Sequence, residues 1–517
     1  MRELEVNPII KSDFPDPDVI RVDDTYYMIS TTMHFFPGGV ILRSYDLIHW
    51  EIINYLFESL DNTPAEALEL ESNSYGGGMW AASLRFHNGL FYAVFVSHHT
   101  KRTYLFTTDD IKGKWNKKEI KGYYHDCSLL FDDDNKVYLV YGNADIHLLE
   151  LNEDLSAPKE GGIDKIIVSD VKDMGLGYEG SHFYKINGKY YLFLIHWLQT
   201  GNKRRTQAVY MSDTVDGEYT GGDCLDDDMG FFNLGVAQGG IVDTPAGKWY
   251  AVLFRDNGAV GRIPVVVPVS FDGDKPVFGH NGKVPKSIDI ASSRPYYRYE
   301  PVYTSDSFKY DLEKEGTNPT LKKQWQWNHK PNNSLWKIMP EGGISITTDK
   351  ICVNVTHAVN TLTQRCMYPK CEAEVTVDAS NLNEGDIAGL CLLQGLYGLI
   401  GITKDTGDYY IVKIVRPSES YKGGFNETDY YPGLLLEKIR LDGPIVNLCL
   451  KANFEDLQDR LDFFYEKQGR FVKVGASHSM RFGLDHFCGA RFGLFMYSTK
   501  KSGGNAVFKD FDYRYNT

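Results

Sequence analysis

Five times in the first 280 residues the chain repeats one pattern: two turn-forming residues, a variable residue, an aromatic or aliphatic residue and a Tyr, then an apolar run. The copies are Asp23-Asp24-Thr25-Tyr26-Tyr27, Asn88-Gly89-Leu90-Phe91-Tyr92, Asp134-Asn135-Lys136-Val137-Tyr138, Asn187-Gly188-Lys189-Tyr190-Tyr191 and Ala246-Gly247-Lys248-Trp249-Tyr250. Asn-Gly and related pairs supply the positive φ of tight hairpins, so each copy predicts the first hairpin of an antiparallel sheet. The tyrosines stand 65, 46, 53 and 59 positions apart, room for four short strands per copy. A second marker follows in several copies: Asp46-Leu47-Ile48-His49-Trp50, Asp110-Ile111-Lys112-Gly113-Lys114-Trp115 and the looser Asp213-Thr214-Val215-Asp216-Gly217-Glu218-Tyr219. Repeats of this length predict five propeller blades around an axis. A run of ordinary hairpins in a sandwich is the competing arrangement, and the closely kept Tyr register argues against it.

Beyond Pro301 the blade pattern stops. Alternating, aromatic-rich segments begin at Ser305-Asp306-Ser307-Phe308 and Trp325-Gln326-Trp327, and they end at Phe508-Lys509-Asp510-Phe511-Asp512-Tyr513. Short strands broken by turns such as Glu384-Gly385-Asp386 and Thr406-Gly407-Asp408 predict a two-sheet sandwich. The expected fold is all-β: a five-bladed β-propeller over 1–285, a linker over 286–304, and a jelly-roll or concanavalin-like β-sandwich over 305–517. A length of 517 residues suits two cores, and 34 Tyr, 28 Phe and 49 Gly suit strands joined by turns.

Charge narrows the partners. With 69 acidic against 55 basic residues the net charge is −14, which repels a polyphosphate and argues against nucleic acid. No run of 18 apolar residues predicts a membrane span, and an acidic residue stands where a signal peptide would carry its apolar core, so a cytoplasmic location is expected. The eight cysteines lack CxxC spacing, which signals neither a zinc site nor a disulfide framework.

The innermost strand of a blade lines the central channel, and here it precedes the repeated hairpin. Counting back 12 residues from each Tyr, or 11 in the first blade, reaches Asp16, Trp80, Asp126, Glu179 and Gln238. Carboxylates converging on one cavity repel each other and lose hydration, which keeps at least one protonated near neutral pH. Two carboxyl groups flanking a bound sugar, one protonated and one ionised, are what glycosidic hydrolysis requires. An aromatic ring such as Trp80 would stack on the sugar. Singly, each has a plainer role: Asp16 as a turn residue between two prolines, Asp126 as a strand cap, Glu179 as a paired acid, Trp80 as core. The shared register favours a common site.

These residues lie in stretches that resemble glycoside hydrolase family 43. The matching stretches are Asn7-Pro8-Ile9-Ile10, Phe14-Pro15-Asp16-Pro17, Phe35-Phe36-Pro37-Gly38, Met79-Trp80-Ala81, His125-Asp126-Cys127-Ser128-Leu129, Tyr178-Glu179-Gly180-Ser181-His182 and Gly261-Arg262. The resemblance implies an inverting mechanism with Asp16 as general base, Glu179 as general acid, Asp126 as the carboxylate that orients and tunes the acid, and Arg262 beside the sugar. It implies no required cofactor. Where many relatives place a histidine at the fifth inner-strand position, sometimes beside an axial ion, this chain has Gln238, a weak calcium ligand. Where many have Trp-Ala-Pro-Asp, it has Trp80-Ala81-Ala82-Ser83.

The C-terminal segment resembles the sandwich of the xylosidase and arabinofuranosidase members. There, Asp306 and Asp510 are candidates for a shared structural calcium, against a plainer surface role. Met33, His34 and Phe35 are expected near the pocket mouth, with Trp80 and Gln238 inside it. The function implied is an exo-acting enzyme removing terminal β-D-xylose or α-L-arabinofuranose from plant oligosaccharides. A non-catalytic carbohydrate-binding propeller is the alternative. Sugar preference and oligomeric state are not legible in the sequence.

Overall fold

The computed structural model describes residues 5–69, 71–171, 173–425 and 428–515. Among these residues nearly every regular element is a strand, the exceptions being one helical turn, Leu312–Glu315, and short 3-10 turns. No helix among the described residues is long and apolar enough to cross a membrane.

The repeats form five antiparallel sheets in a ring. Blade one is Asp18–Val22, Thr25–Ser30, Gly38–Ser44 and Glu51–Phe57; blade two begins at Met79–His87, blade three at Ser128–Phe131 and blade four at Met174–Ile186. Blade five differs. Its inner edge is two pieces, Val236–Ala237 and Ile241–Asp243, both paired with Trp249–Asp256 and interrupted at Gln238. Two of the five repeated turns have the two successive positive values of a type I′ hairpin, φ 49° and 80° at Asn88-Gly89 and 51° and 82° at Asn187-Gly188, whereas in the other three only Asp23, Asn135 and Gly247 are positive, at 54°, 64° and 74°.

Inner and middle blade strands are largely buried on both faces, and alternate residues feed different cores, whereas outer strands such as Asn116–Ile120 are mostly exposed. Leu129 and Leu139 pack toward blade two, whereas their neighbours Leu130, Tyr138 and Val140 pack toward blade four. Five such clusters fill the five spaces between blades. This two-sided burial explains why the strands read as almost continuous apolar runs. The ring closes between blades five and one partly through side chains: Asn7 donates to the Val266 and Pro285 carbonyls at 2.7 and 2.8 Å and accepts from Val266 N–H at 2.9 Å.

A buried ion pair ties the inner strands together. Asp18, on blade one, accepts from Arg85 Nη1 at 2.7 Å and Leu84 N–H at 2.8 Å, and lies 3.2 Å from His182 Nδ1. Arg85 also donates to the Leu129 carbonyl and Ser128 Oγ, both at 2.8 Å. Burial alone would raise the Asp18 carboxyl, but Arg85 and His182 outweigh it and hold it at about 2. Removing one partner of such a pair strands a buried charge, at a cost of about 3–5 kcal/mol. Arg85→Met should therefore lower the propeller's thermal transition by several degrees. An unchanged transition would show that Asp18 is not held by this pair.

Two larger sheets form the sandwich, each counted with eight strands. One contains a strand from the propeller: Phe35–Phe36 pairs with Gln326–Asn328, extending the sandwich sheet into blade one's loop. The domains are further stitched at Asp13. Its carboxylate accepts from Arg262 N–H at 2.8 Å and from Gly489 N–H, in a sandwich loop, at 2.7 Å. A side chain at Gly489 would collide with the Val260 carbonyl and Asp13, so a glycine there permits the close approach.

Candidate active site

The heads of the inner strands adopt unusual backbone conformations. Asp16, Asp126 and Gln238 have φ of 53°, 47° and 57°, and in blade four the left-handed position falls on Gly180, φ 63°. Non-glycine residues adopt this region at a cost of about 1–2 kcal/mol, a strain that recurs where side chains must be aimed. Gly180 serves a second purpose: a Cβ there would strike the side chains of Gln238 and Ile195.

Asp16, Asp126 and Glu179 converge on one site. The Asp126 carboxyl feels the charges of both Glu179 and Asp16, and the Arg205 guanidinium also lies within reach of both. Asp16 Oδ1 accepts from Arg262 Nη1 at 2.8 Å, and both side chains are almost wholly covered. Glu179 Oε2 is contacted by His125 Nε2 at 3.1 Å and accepts from Asn143 Nδ2 at 2.5 Å. Among the described residues nothing donates to its Oε1. Asp126 Oδ2 accepts from Gly180 N–H at 3.1 Å, beside Glu179 in the chain, and His125 Nδ1 stands 3.7 Å from Asp126 Oδ1.

Burial pushes the Asp126 carboxyl up to about 7; Glu179 and Asp16 add to the effect and His125 opposes it. For His125, burial disfavours the charge, but Asp126 and Glu179 outweigh it and raise the imidazole to about 9. Because the folded pKa of Asp126 exceeds its unfolded value of 3.8, the native state holds that proton more tightly. The resulting stability penalty is absent below pH 4, grows as pH rises, and is complete above about 7. Asp126→Asn should accordingly raise the melting temperature by a few degrees at pH 7.5 and by much less at pH 4.5, while lowering activity. Equal shifts at both pH values would contradict this picture.

Aromatic residues wall the site, and one comes from the sandwich. Trp80 stacks on His98 at 4.5 Å and meets Phe487 edge-on at 5.7 Å. Phe487 also covers Arg262, whose guanidinium lies 4.6 Å from the ring centroid and whose Nη2 donates to the Phe487 carbonyl at 3.3 Å.

The structure thus brings Asp16, Trp80, Asp126, Glu179 and Arg262 together, with Gln238 packed beside Gly180. The mouth residues need correction. His34 and Phe35 have 0% and 1% of their surface exposed; they pack among Tyr75, His329 and Arg491 between the domains and have no face to offer a sugar. Met33 is also buried, though it packs in the same cluster as Trp80 and Phe487. Asp306 and Asp510 are not brought together as a pair of ligands: Asp306 is buried and accepts from Phe308 N–H, Tyr310 OH and Trp325 Nε1 at 2.8–3.0 Å, whereas Asp510 is exposed. His125, Asn143, Arg205 and Phe487 were not singled out from the sequence. His125 adjoins Asp126 in a motif already noted; Phe487 offered no signal, lying hundreds of residues from the blades.

Comparison with known proteins identifies both domains. The model of "Glycosyl hydrolases family 43" matches residues 6–276, and that of the "Beta xylosidase C-terminal Concanavalin A-like domain" matches 315–514. A β-xylosidase of Formosa agariphila is 24% identical, covering 99% of this chain and 90% of its own. A non-reducing end α-L-arabinofuranosidase of Bacteroides ovatus is 28% identical over 68% of this chain and 66% of its own. The solved structure of a bifunctional GH43-CE protein of Bacteroides eggerthii superposes with a TM-score of 0.90 at 38% identity; the match covers 99% of this chain and 64% of that longer one. The chain belongs to glycosyl hydrolase family 43.

Proposed function

We propose that this protein is an inverting exo-glycosidase that releases terminal β-D-xylose or α-L-arabinofuranose from hemicellulose oligosaccharides. The observation that carries the reading is the asymmetry between two carboxyl groups in one site. Asp16 Oδ1 is fixed in place by Arg262 Nη1 at 2.8 Å, deep in the site. Glu179 has two partners on Oε2 and none on Oε1 among the described residues. A proton on Oε1 would point to the glycosidic oxygen while Asp16 removes one from water on the opposite face of the ring. Direct displacement by that water inverts the anomeric centre, which needs carboxyl groups about 6.5–9.5 Å apart. Arg262 would steady Asp16, Asp126 would hold the backbone N–H that follows Glu179, and Trp80 with Phe487 would enclose a single sugar ring. The names of the relatives support both pentoses as substrates. Eight cysteines without a disulfide support action in a reducing compartment.

The test is turnover of nitrophenyl β-xyloside and nitrophenyl α-arabinofuranoside, with the first-formed anomer read by proton NMR. We expect α-xylose from the β-xyloside. Retention of configuration would overturn the mechanism, and binding without cleavage of any pentoside or xylo-oligosaccharide would favour a carbohydrate-binding propeller.

A further inference from the structure

Three donor side chains from two domains meet in the packed layer behind the pocket. His34 comes from the propeller loop before Phe35–Phe36, and His486 and Cys488 come from the sandwich loop before Arg491–Ser498. All three are buried, and their ligand atoms lie within 4.8 Å of one another. Among the described residues neither ring nitrogen of His34 has a hydrogen-bond partner, although the residue is wholly covered. A buried imidazole in that state has given up water at both nitrogens without compensation. The adjacent His329 does not satisfy it: His329 Nε2 accepts from Ser74 N–H at 3.0 Å, and its Nδ1 lies 3.2 Å from Asn328 Oδ1.

We propose that His34, His486 and Cys488 form a zinc site that clamps the propeller to the sandwich. Two imidazole nitrogens and one thiolate are a donor set suited to zinc, and water would complete the tetrahedron. Zinc bonds of about 2.0–2.1 Å to nitrogen and 2.3 Å to sulfur put tetrahedral donors roughly 3.3–3.6 Å apart. The observed cluster need contract by no more than about 1.5 Å, within reach of side-chain rotation. Binding would replace the Cys488 thiol proton, which leaves to solvent. Asp13 and Asp485 lie within electrostatic reach of Cys488, as do Arg491 and Arg262, so the site is not solely cationic.

The clamp has a route to the pocket through its neighbours in the chain. Phe487 stands between two of the ligands and covers Arg262. Met33 precedes the third, and its backbone pairs with Met79, next to Trp80. Both walls of the pocket would therefore be tied to one ion. The cysteine spacing signals no such site because His34 lies more than 450 positions from His486 and Cys488.

The experiment uses the full chain, depleted by chelator and then exposed to excess zinc or cobalt and gel-filtered. We expect about one metal per chain by elemental analysis, and for cobalt a thiolate charge-transfer band in the near ultraviolet. Cys488→Ser, with its circular dichroism unchanged, should lose the band and most of the metal. Should that variant misfold, the cobalt spectrum of the unaltered protein still decides. Wild-type protein that takes up neither metal, or a folded Cys488→Ser that binds as well, would overturn the proposal. Metal removal should also raise KM for an aryl pentoside severalfold. That readout rests on the glycosidase reading, whereas metal stoichiometry does not.

Discussion

Asp16→Asn should lower kcat on every pentoside substrate by a factor of about 1,000 or more, equivalent to some 4 kcal/mol of lost transition-state stabilisation. The loss should be nearly independent of the leaving group, because the missing step is proton removal from water, which any glycoside requires in an inverting reaction. The fold should survive. Asn retains a carbonyl oxygen that can accept from Arg262 Nη1, now 2.8 Å from Asp16 Oδ1, although the guanidinium loses its counter-charge. Asp16→Ala would instead leave that buried guanidinium unpaired and add a stability defect. The comparison separates chemistry from folding: both variants lose the counter-charge, but the Asn variant keeps a hydrogen-bond acceptor for Arg262 and should melt several degrees above the Ala variant. Turnover by Asp16→Asn within tenfold of the wild type would remove Asp16 from the role of base.

How far this was legible in the sequence depends on which physical constraint repeats along the chain. The blades were legible because their turns need Asn, Asp or Gly at fixed positions and because strands buried on both faces carry apolar residues without a gap. The carboxylate heads followed from the same register, since residues at one height of successive blades face one axis. Gln238 kept the register while the strand around it broke into two pieces, a departure the spacing alone does not reveal.

What was missed depends on contacts between distant segments. Phe35–Phe36 pairs with a sandwich strand, but two residues carry no period that could announce it. The same pairing draws His34 and Phe35 inward, which is why residues expected at the mouth became interdomain core. Phe487 reaches the pocket through a loop anchored on Asp13, a contact between positions at opposite ends of the chain. His125 and Asn143 flank Glu179 from blade three, and nothing in their local sequence marks them as its donors.

Glu179→Gln should show the opposite pattern to Asp16→Asn. A general acid matters in proportion to the basicity of the departing oxygen, so the loss should be about 100- to 10,000-fold for xylobiose, whose leaving alkoxide is strongly basic. For a dinitrophenyl pentoside, whose phenolate departs without a proton, the loss should shrink to a few-fold. Glutamine preserves the side-chain carbonyl that can accept from Asn143 Nδ2 and His125 Nε2 in place of Oε2, so position and stability should change little. The amide cannot deliver a proton, and that is the intended difference. Removing the donors tests the same assignment from outside the carboxyl group. Asn143→Ala leaves Oε2 with His125 alone and frees it to compete with Oε1 for the proton, so it should depress xylobiose turnover more than dinitrophenyl pentoside turnover. If Glu179→Gln slowed both substrates equally, the residue would be positioning substrate rather than protonating it, and the acid would have to be sought among its neighbours, Asp126 first.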